Sequence, residues 1–167
     1  MELKRKSEPK ILFHDLFTNK IAYVQIGFDA CSVPLDKIQY LPLIGRLVLG
    51  MGTNRHSYVE ISQLLGIHTG GLRSWHFTSA TINDHRRILS HVFFSGKALM
   101  ENADYLFDIW KELILEYDFS NFKRLTEIIR SAKADMEDAI LSSGNHYVLS
   151  RLQSYQSPIG QYNEFTE

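Results

Sequence analysis

A change of period narrows the fold more than any other feature. Over 21–31 the residues alternate, with Ala22, Val24, Ile26, Phe28 and Ala30 on one side and Tyr23, Gln25, Gly27 and Asp29 on the other; from 101 onward apolar residues recur every three or four positions. A period of two buries one face of a strand and leaves the other at least partly wet, whereas a period near 3.6 lays an apolar stripe along a helix. A chain carrying both must join a half-buried sheet to amphipathic helices. That is the α+β class, with helices packed on one face of an antiparallel sheet.

The order of elements follows from local signals. Residues 11–18 are rich in aromatic and β-branched side chains, and Asn19-Lys20 separates them from 21–31, a pattern that predicts a β-hairpin. Apolar residues at helical spacing follow over 35–50, among them Leu43, Leu47 and Val48, with Pro42 opening or kinking the helix. Ser57 with Glu60 three residues on is a capping box, and Val59, Ile61, Leu64 and Leu65 supply the stripe of a second helix. Gly70-Gly71 breaks it. Residues 72–81 and 87–95 read as two more strands around the turn Ile82, Asn83, Asp84 and His85.

Then come helices: one from Glu101 with Ala103, Leu106, Phe107, Trp110, Leu113, Ile114 and Tyr117, and a longer one capped by Ser120 with Phe122, Leu125, Ile128, Ile129, Ala132, Met136 and Ile140 on one side. Gly144 ends the latter, 145–156 read as a short helix, and 157–167 carry no usable periodicity.

Length and charge set the outer bounds. The 167 residues suit a single α+β domain over 11–167, preceded by a basic arm over 1–10 with Lys4, Arg5, Lys6 and Lys10. A net charge of -1 gives nucleic acid little attraction, so no nucleic-acid partner is expected. No apolar run approaches the roughly 18 residues that span a bilayer, which predicts a soluble chain of the cytoplasm or an organellar lumen. Cys31 is the only cysteine, so neither a disulfide framework nor a thiolate metal cluster is available, and it reads as a small buried residue.

Candidate chemistry is sparse. Gly50-Met51-Gly52-Thr53 follows a helix and has no lysine at the phosphate-loop offset, so it reads as a helix terminus. His56, His68, His76, His85 and His91 show no His-x-x-x-His pair and read as scattered residues rather than zinc ligands. Ser142 to His146 lacks a Gly-x-Ser-x-Gly elbow, and Asp104, Asp108 and Glu112 read as the solvated side of their helix. Trp75 and Phe77 share a strand face with Arg73; packing beneath the helices is favoured there over a stacking platform for RNA or peptide.

Four stretches nevertheless carry a resemblance: HDLFTNKIAYVQIGFD, YLPLIGRLVLGMGT, the run over 57–71 closing in LLGIHTGGL, and SGNHYVLSR. Together they resemble the presequence-protease branch of the insulinase-like zinc metallopeptidases. The resemblance implies four related α/β domains enclosing a peptide chamber, with zinc held in the first and this chain forming the start and middle of the third. In the active domain an inverted motif, His-x-x-Glu-His, lies on the helix before a Gly-Thr turn. Here Leu43 and Leu47 stand at the ligand positions and Arg46 at the general-base position. Neither leucine coordinates zinc, and a protonated arginine accepts no proton from water. Glu127 lies in a plausible helix but has no histidines to complete.

The expectation is therefore a chain without catalytic, cofactor-binding or metal-binding residues. Zinc would belong to the parent enzyme's catalytic domain, the partners would be the parent's other domains and its unfolded peptide substrates, and the excised surface could self-associate. The alternative is a free-standing module that binds peptide or protein without catalysis.

Overall fold

A computed structural model describes residues 10–84 and 87–166, so the arm over 1–9 and the turn residue His85 lie outside the described residues. The elements run β1 (Ile21–Asp29), α1 (Leu41–Gly50), α2 (Tyr58–His68), β2 (Leu72–Ala80), β3 (Ile88–Leu99), α3 (Ala103–Leu115), α4 (Phe122–Ser142), α5 (Gly144–Ser154) and α6 (Pro158–Thr166). The strands form one antiparallel sheet in the order β1-β3-β2. The α+β class holds.

β3 is the hub because it pairs on both sides, Ile26 and Ser74 both facing Phe94 and Val24 and Leu72 both facing Gly96. Its inward residues Val92, Phe94 and Ala98 are buried with Leu106, Ile109, Trp110 and Leu113 of α3, and the Trp110 and Phe94 rings meet edge-on at 5.5 Å. Gly96 makes this packing possible, since a Cβ there would lie 2.8 Å from Leu106 and 3.1 Å from the Trp110 indole nitrogen. Ile38 and Leu41 before and at the start of α1, Ile61 of α2 and Tyr162 of α6 complete the core.

Pro42 opens α1 rather than kinking it, and the Ser57–Glu60 capping box of α2 is formed in both directions. The α2 stripe is shallower than its sequence suggests: Ile61 is buried, while Val59 is exposed.

Four expectations are corrected. Residues 11–18 form no strand. The hairpin turn itself is present, with Asn19 and Lys20 at φ 51° and 63° and the Ile21 amide on the Thr18 carbonyl at 3.1 Å, but β1 pairs with β3 instead. Ile11, Leu12, Phe13, Leu16 and Phe17 stay 72–96% exposed, and two strands without a covering layer are marginal in water. Asn121, not Ser120, caps α4: its side chain accepts from the Arg124 amide at 3.1 Å, while Ser120 is held by Asp118. The long α4 stripe buries no residue fully. Residues 158–166, without readable periodicity, are the helix α6, where Ser157 Oγ accepts from the Gly160 amide and buried Tyr162 supplies the anchor.

α1 lies close on β2 through Gly45. A Cβ at this position would sit 2.3 Å from Ser74 Oγ and 2.9 Å from Ser74 Cβ. Gly45→Ala should therefore destabilise the chain by about 1–3 kcal/mol despite alanine's better helix propensity. Denaturant titration should show a smaller cost in a Ser74→Gly background; an equal cost in both backgrounds would contradict the close approach.

Candidate functional site

The site to test first is the helix that resembles a zinc-binding one. α1 buries Leu47 and Val48 against the core and half-buries Leu43, while Arg46 points out and pairs with Asp135 of α4. A second arginine makes the same connection from the other side: Arg124 of α4 donates from Nε to the Gly50 carbonyl at 2.9 Å and lies 4.2 Å over the Tyr58 ring. Glu127 is taken up by Arg124 at 3.4 Å. Two hydrocarbon side chains and a guanidinium offer zinc no donor, so these residues do not fit the metal. Among the described residues, no group of three His, Cys, Asp or Glu side chains converges elsewhere.

Behind α1 lies a cluster that the sequence did not disclose. Gly52 takes φ 119°, a conformation that L side chains rarely adopt, and a Cβ there would meet the Tyr58 amide nitrogen at 2.8 Å. The turn it makes delivers Thr53 and His56 to Glu112 of α3. The Thr53 hydroxyl donates to Glu112 Oε1, His56 Nδ1 shares that oxygen at 2.8 Å, and Arg55 stands 4.0 Å from Oε2.

Glu112 is thus 5% exposed, not on the solvated side of α3 as its spacing with Asp104 and Asp108 suggests; those two aspartates are exposed. Burial pushes its carboxyl up, but the Thr53 and His56 hydrogen bonds and the Arg55 charge outweigh burial and hold it below the ordinary glutamate value. Around it, the Asn54 amide reaches the Glu116 carbonyl and the Asp118 amide reaches Gly52, so loop and helix end are closed together.

The remaining histidines are dispersed. His76 faces the helices, bonded at 2.8 Å to Ser90 Oγ, which also accepts from the Tyr162 hydroxyl; burial lowers the His76 pKa and favours its neutral form. His91 stacks on Phe93 across the sheet, and His68 stacks on Tyr105 at 4.1 Å. The sulfur of Cys31 accepts from the Ser90 amide at 3.2 Å, yet the residue is exposed rather than buried, because it follows β1 at the sheet margin. Desolvation raises this thiol, the opposite of what a nucleophile needs. Ser142 donates to the Ala139 carbonyl at the end of α4, as a helix terminus would.

The aromatic pair is where the structure departs most usefully from expectation. Trp75 and Phe77 do not pack beneath the helices. With Phe93 they occupy the opposite sheet face, Trp75 stacked on Phe93 at 4.7 Å and Phe77 edge-on to both, and they remain 37% and 40% exposed. Gly27 lets Phe93 lie flat, as a Cβ there would meet the ring at 2.7 Å. The Trp75 indole N–H donates to Ser95 Oγ at 3.1 Å and fixes its orientation. β2 has β3 as its only strand neighbour, so its outer margin is free among the described residues. A cavity of about 480 Å³ runs beside that margin between α1 and α6, bordered by Pro42, Gly45, Arg46, Phe77 and Asn163.

A three-stranded antiparallel sheet with helices on one face, and a Gly-Thr turn after a helix bearing leucines and arginine at the zinc-motif positions, define a non-catalytic relative of insulinase-like metallopeptidase domains. The family model for the peptidase-associated domain of metallopeptidase family 16, subfamily C, matches residues 1–167, and the chain belongs to that family. It is 31% identical over 153 residues to Protein HypA of Clostridium perfringens, covering 92% of this chain and 16% of that protein. To presequence protease 1, chloroplastic/mitochondrial, of Arabidopsis thaliana it is 30% identical, over 93% of this chain and 14% of the relative. To the mitochondrial presequence protease of Saccharomyces cerevisiae it is 27% identical, over 88% and 15%. The chain thus corresponds to a domain of a larger presequence-protease-like peptidase and spans about one seventh of these relatives. No helix among the described residues is long and apolar enough to cross a membrane.

Glu112→Ala should leave the Thr53 hydroxyl and His56 without their shared acceptor and cost about 1–3 kcal/mol in urea unfolding. Because the carboxyl is depressed in the folded state, its contribution is complete above the ordinary glutamate pKa of about 4.3 and disappears as pH falls through the lower native value. The difference between wild type and variant should shrink on acidification below about pH 4; a difference that does not change with pH would contradict this.

Proposed function

We propose that this chain is a wall domain of a zinc metalloendopeptidase that degrades unfolded peptides: it helps to enclose the peptide chamber and touches the substrate, but performs no bond cleavage. One observation carries the reading. The helix at the zinc-motif position is held to α4 by Arg46 and Asp135, while the sheet beside it leaves Trp75, Phe77 and Phe93 uncovered. Aromatic faces contribute apolar contact without demanding a particular sequence, which suits a protein that takes unfolded peptides of many kinds. The free margin of β2 adds unpaired backbone groups to which an extended chain can hydrogen-bond, and strand side chains at i and i+2 stand roughly 7 Å apart, the pitch of Trp75 and Phe77.

Zinc binding and water activation belong, in this reading, to another domain of the parent polypeptide. The free-standing peptide module shares the same sheet face, but the roughly sixfold greater length implied by a 16% share of the relative supports the domain reading.

In the longer parent polypeptide, Trp75→Ala with Phe77→Ala should raise KM for unstructured peptides by about tenfold and change kcat little, the pattern of lost uniform binding. The 167-residue chain alone should cleave none of them. Unchanged KM would remove the wall role, and metal-dependent turnover by the chain alone would remove the non-catalytic assignment.

A further inference from the structure

Helix α4 has three arcs, and one of them is unpartnered. At 3.6 residues per turn, Arg124, Ile128 and Asp135 share an arc, and all three reach α1 or the residues after it: Arg124 and Ile128 meet Gly50, and Asp135 meets Arg46. A second arc holds Lys123, Glu127, Arg130, Glu137 and Asp138, the charged side that suits water, with Glu137 paired to Lys133 at 3.6 Å. The third, roughly a third of a turn from the α1 contact, carries Phe122, Ile129, Met136 and Ile140, each at least 44% exposed. α5 continues in kind: Ser150 is buried, and Val148, Leu152 and Tyr155 at i, i+4 and i+7 stand 55–74% exposed.

A helix with a separate charged side does not need its apolar arc for solvation. Most helix stability in proteins comes from packing such an arc, and 21 residues that bury no side chain fully lack that support. We infer that the apolar arcs of α4 and α5 are an interface for another stretch of the same polypeptide, one that lies outside these 167 residues. A covalently linked partner is favoured over a second copy because relatives matched by this chain devote only 14–16% of their length to it, so ample apolar surface is tethered nearby. The inference rests on family membership and not on the peptide-wall role, so the two can fail separately.

Met136 is a built-in reporter, since thioether oxidation by dilute peroxide follows exposure. Its sulfoxidation, followed by peptide mass spectrometry, should be at least about tenfold slower in the longer parent polypeptide than in the 167-residue chain. Ile140→Glu should lower the parent's Tm by several degrees and leave that of the short chain within about a degree. Should the parent variant fail to fold, the wild-type oxidation rates decide alone. Equal rates in the two polypeptides would overturn the inference, as would protection in the short chain that rises with its concentration, the signature of a second copy.

Discussion

Everything in this fold leans on the packing of α3 against β3. Trp110 and Phe94 meet edge-on, with Leu106 and Leu113 fully buried beside them, and β3 is the one strand with neighbours on both sides. Removing either leucine to alanine belongs to the class of change that costs about 2–5 kcal/mol, a large share of a domain's net stability. From that contact the other elements take their positions. Glu112, one turn beyond Trp110's neighbour Asp108, reaches back to the loop between α1 and α2, and the loop in turn fixes where α1 ends.

This chain of dependence explains how a helix can keep its place after losing its chemistry. In a metal site the ion itself would draw α1 and the facing helix together. Here the tie is made by Arg46 with Asp135 and by Arg124 with the Gly50 carbonyl, and the apolar residues at 43 and 47 serve the core. The Arg46–Asp135 pair is about half exposed on both sides, so its contribution is about 0–1 kcal/mol, and the positioning comes chiefly from Leu47, Val48 and the Gly45–Ser74 contact. The Gly-Thr turn persists for a reason of its own: Gly52 supplies the positive φ and Thr53 the hydroxyl that Glu112 needs.

Much of this architecture was legible in the sequence because local signals and tertiary demands agreed. The Ser57–Glu60 box, Pro42 at the start of α1, the hairpin β2–β3 and the alternation in β1 all formed as their spacing suggests. What failed did so where a residue's fate is decided by a distant partner. Residues 11–18 have strand composition and a working turn, but pairing with β3 took β1's ladder elsewhere. Glu112 looks solvated by helical phase, and only the fold brings Thr53 and His56 to it, 59 and 56 residues away in sequence. Trp75 and Phe77 have the composition of a core, yet the helices gather on the other face. The helix α6 was hidden because its period rests on little beyond Tyr162 and Gly160, whose value lies in close approach to α5.

The central claim is that α1 has been kept as architecture, with the metal chemistry gone. Its most direct test is the zinc content of the purified chain by inductively coupled plasma mass spectrometry, after equilibration with excess zinc and gel filtration. The account predicts far less than one equivalent, unchanged by Glu112→Gln or His56→Ala. One equivalent of retained zinc, lost on substituting His56 or Glu112, would contradict it.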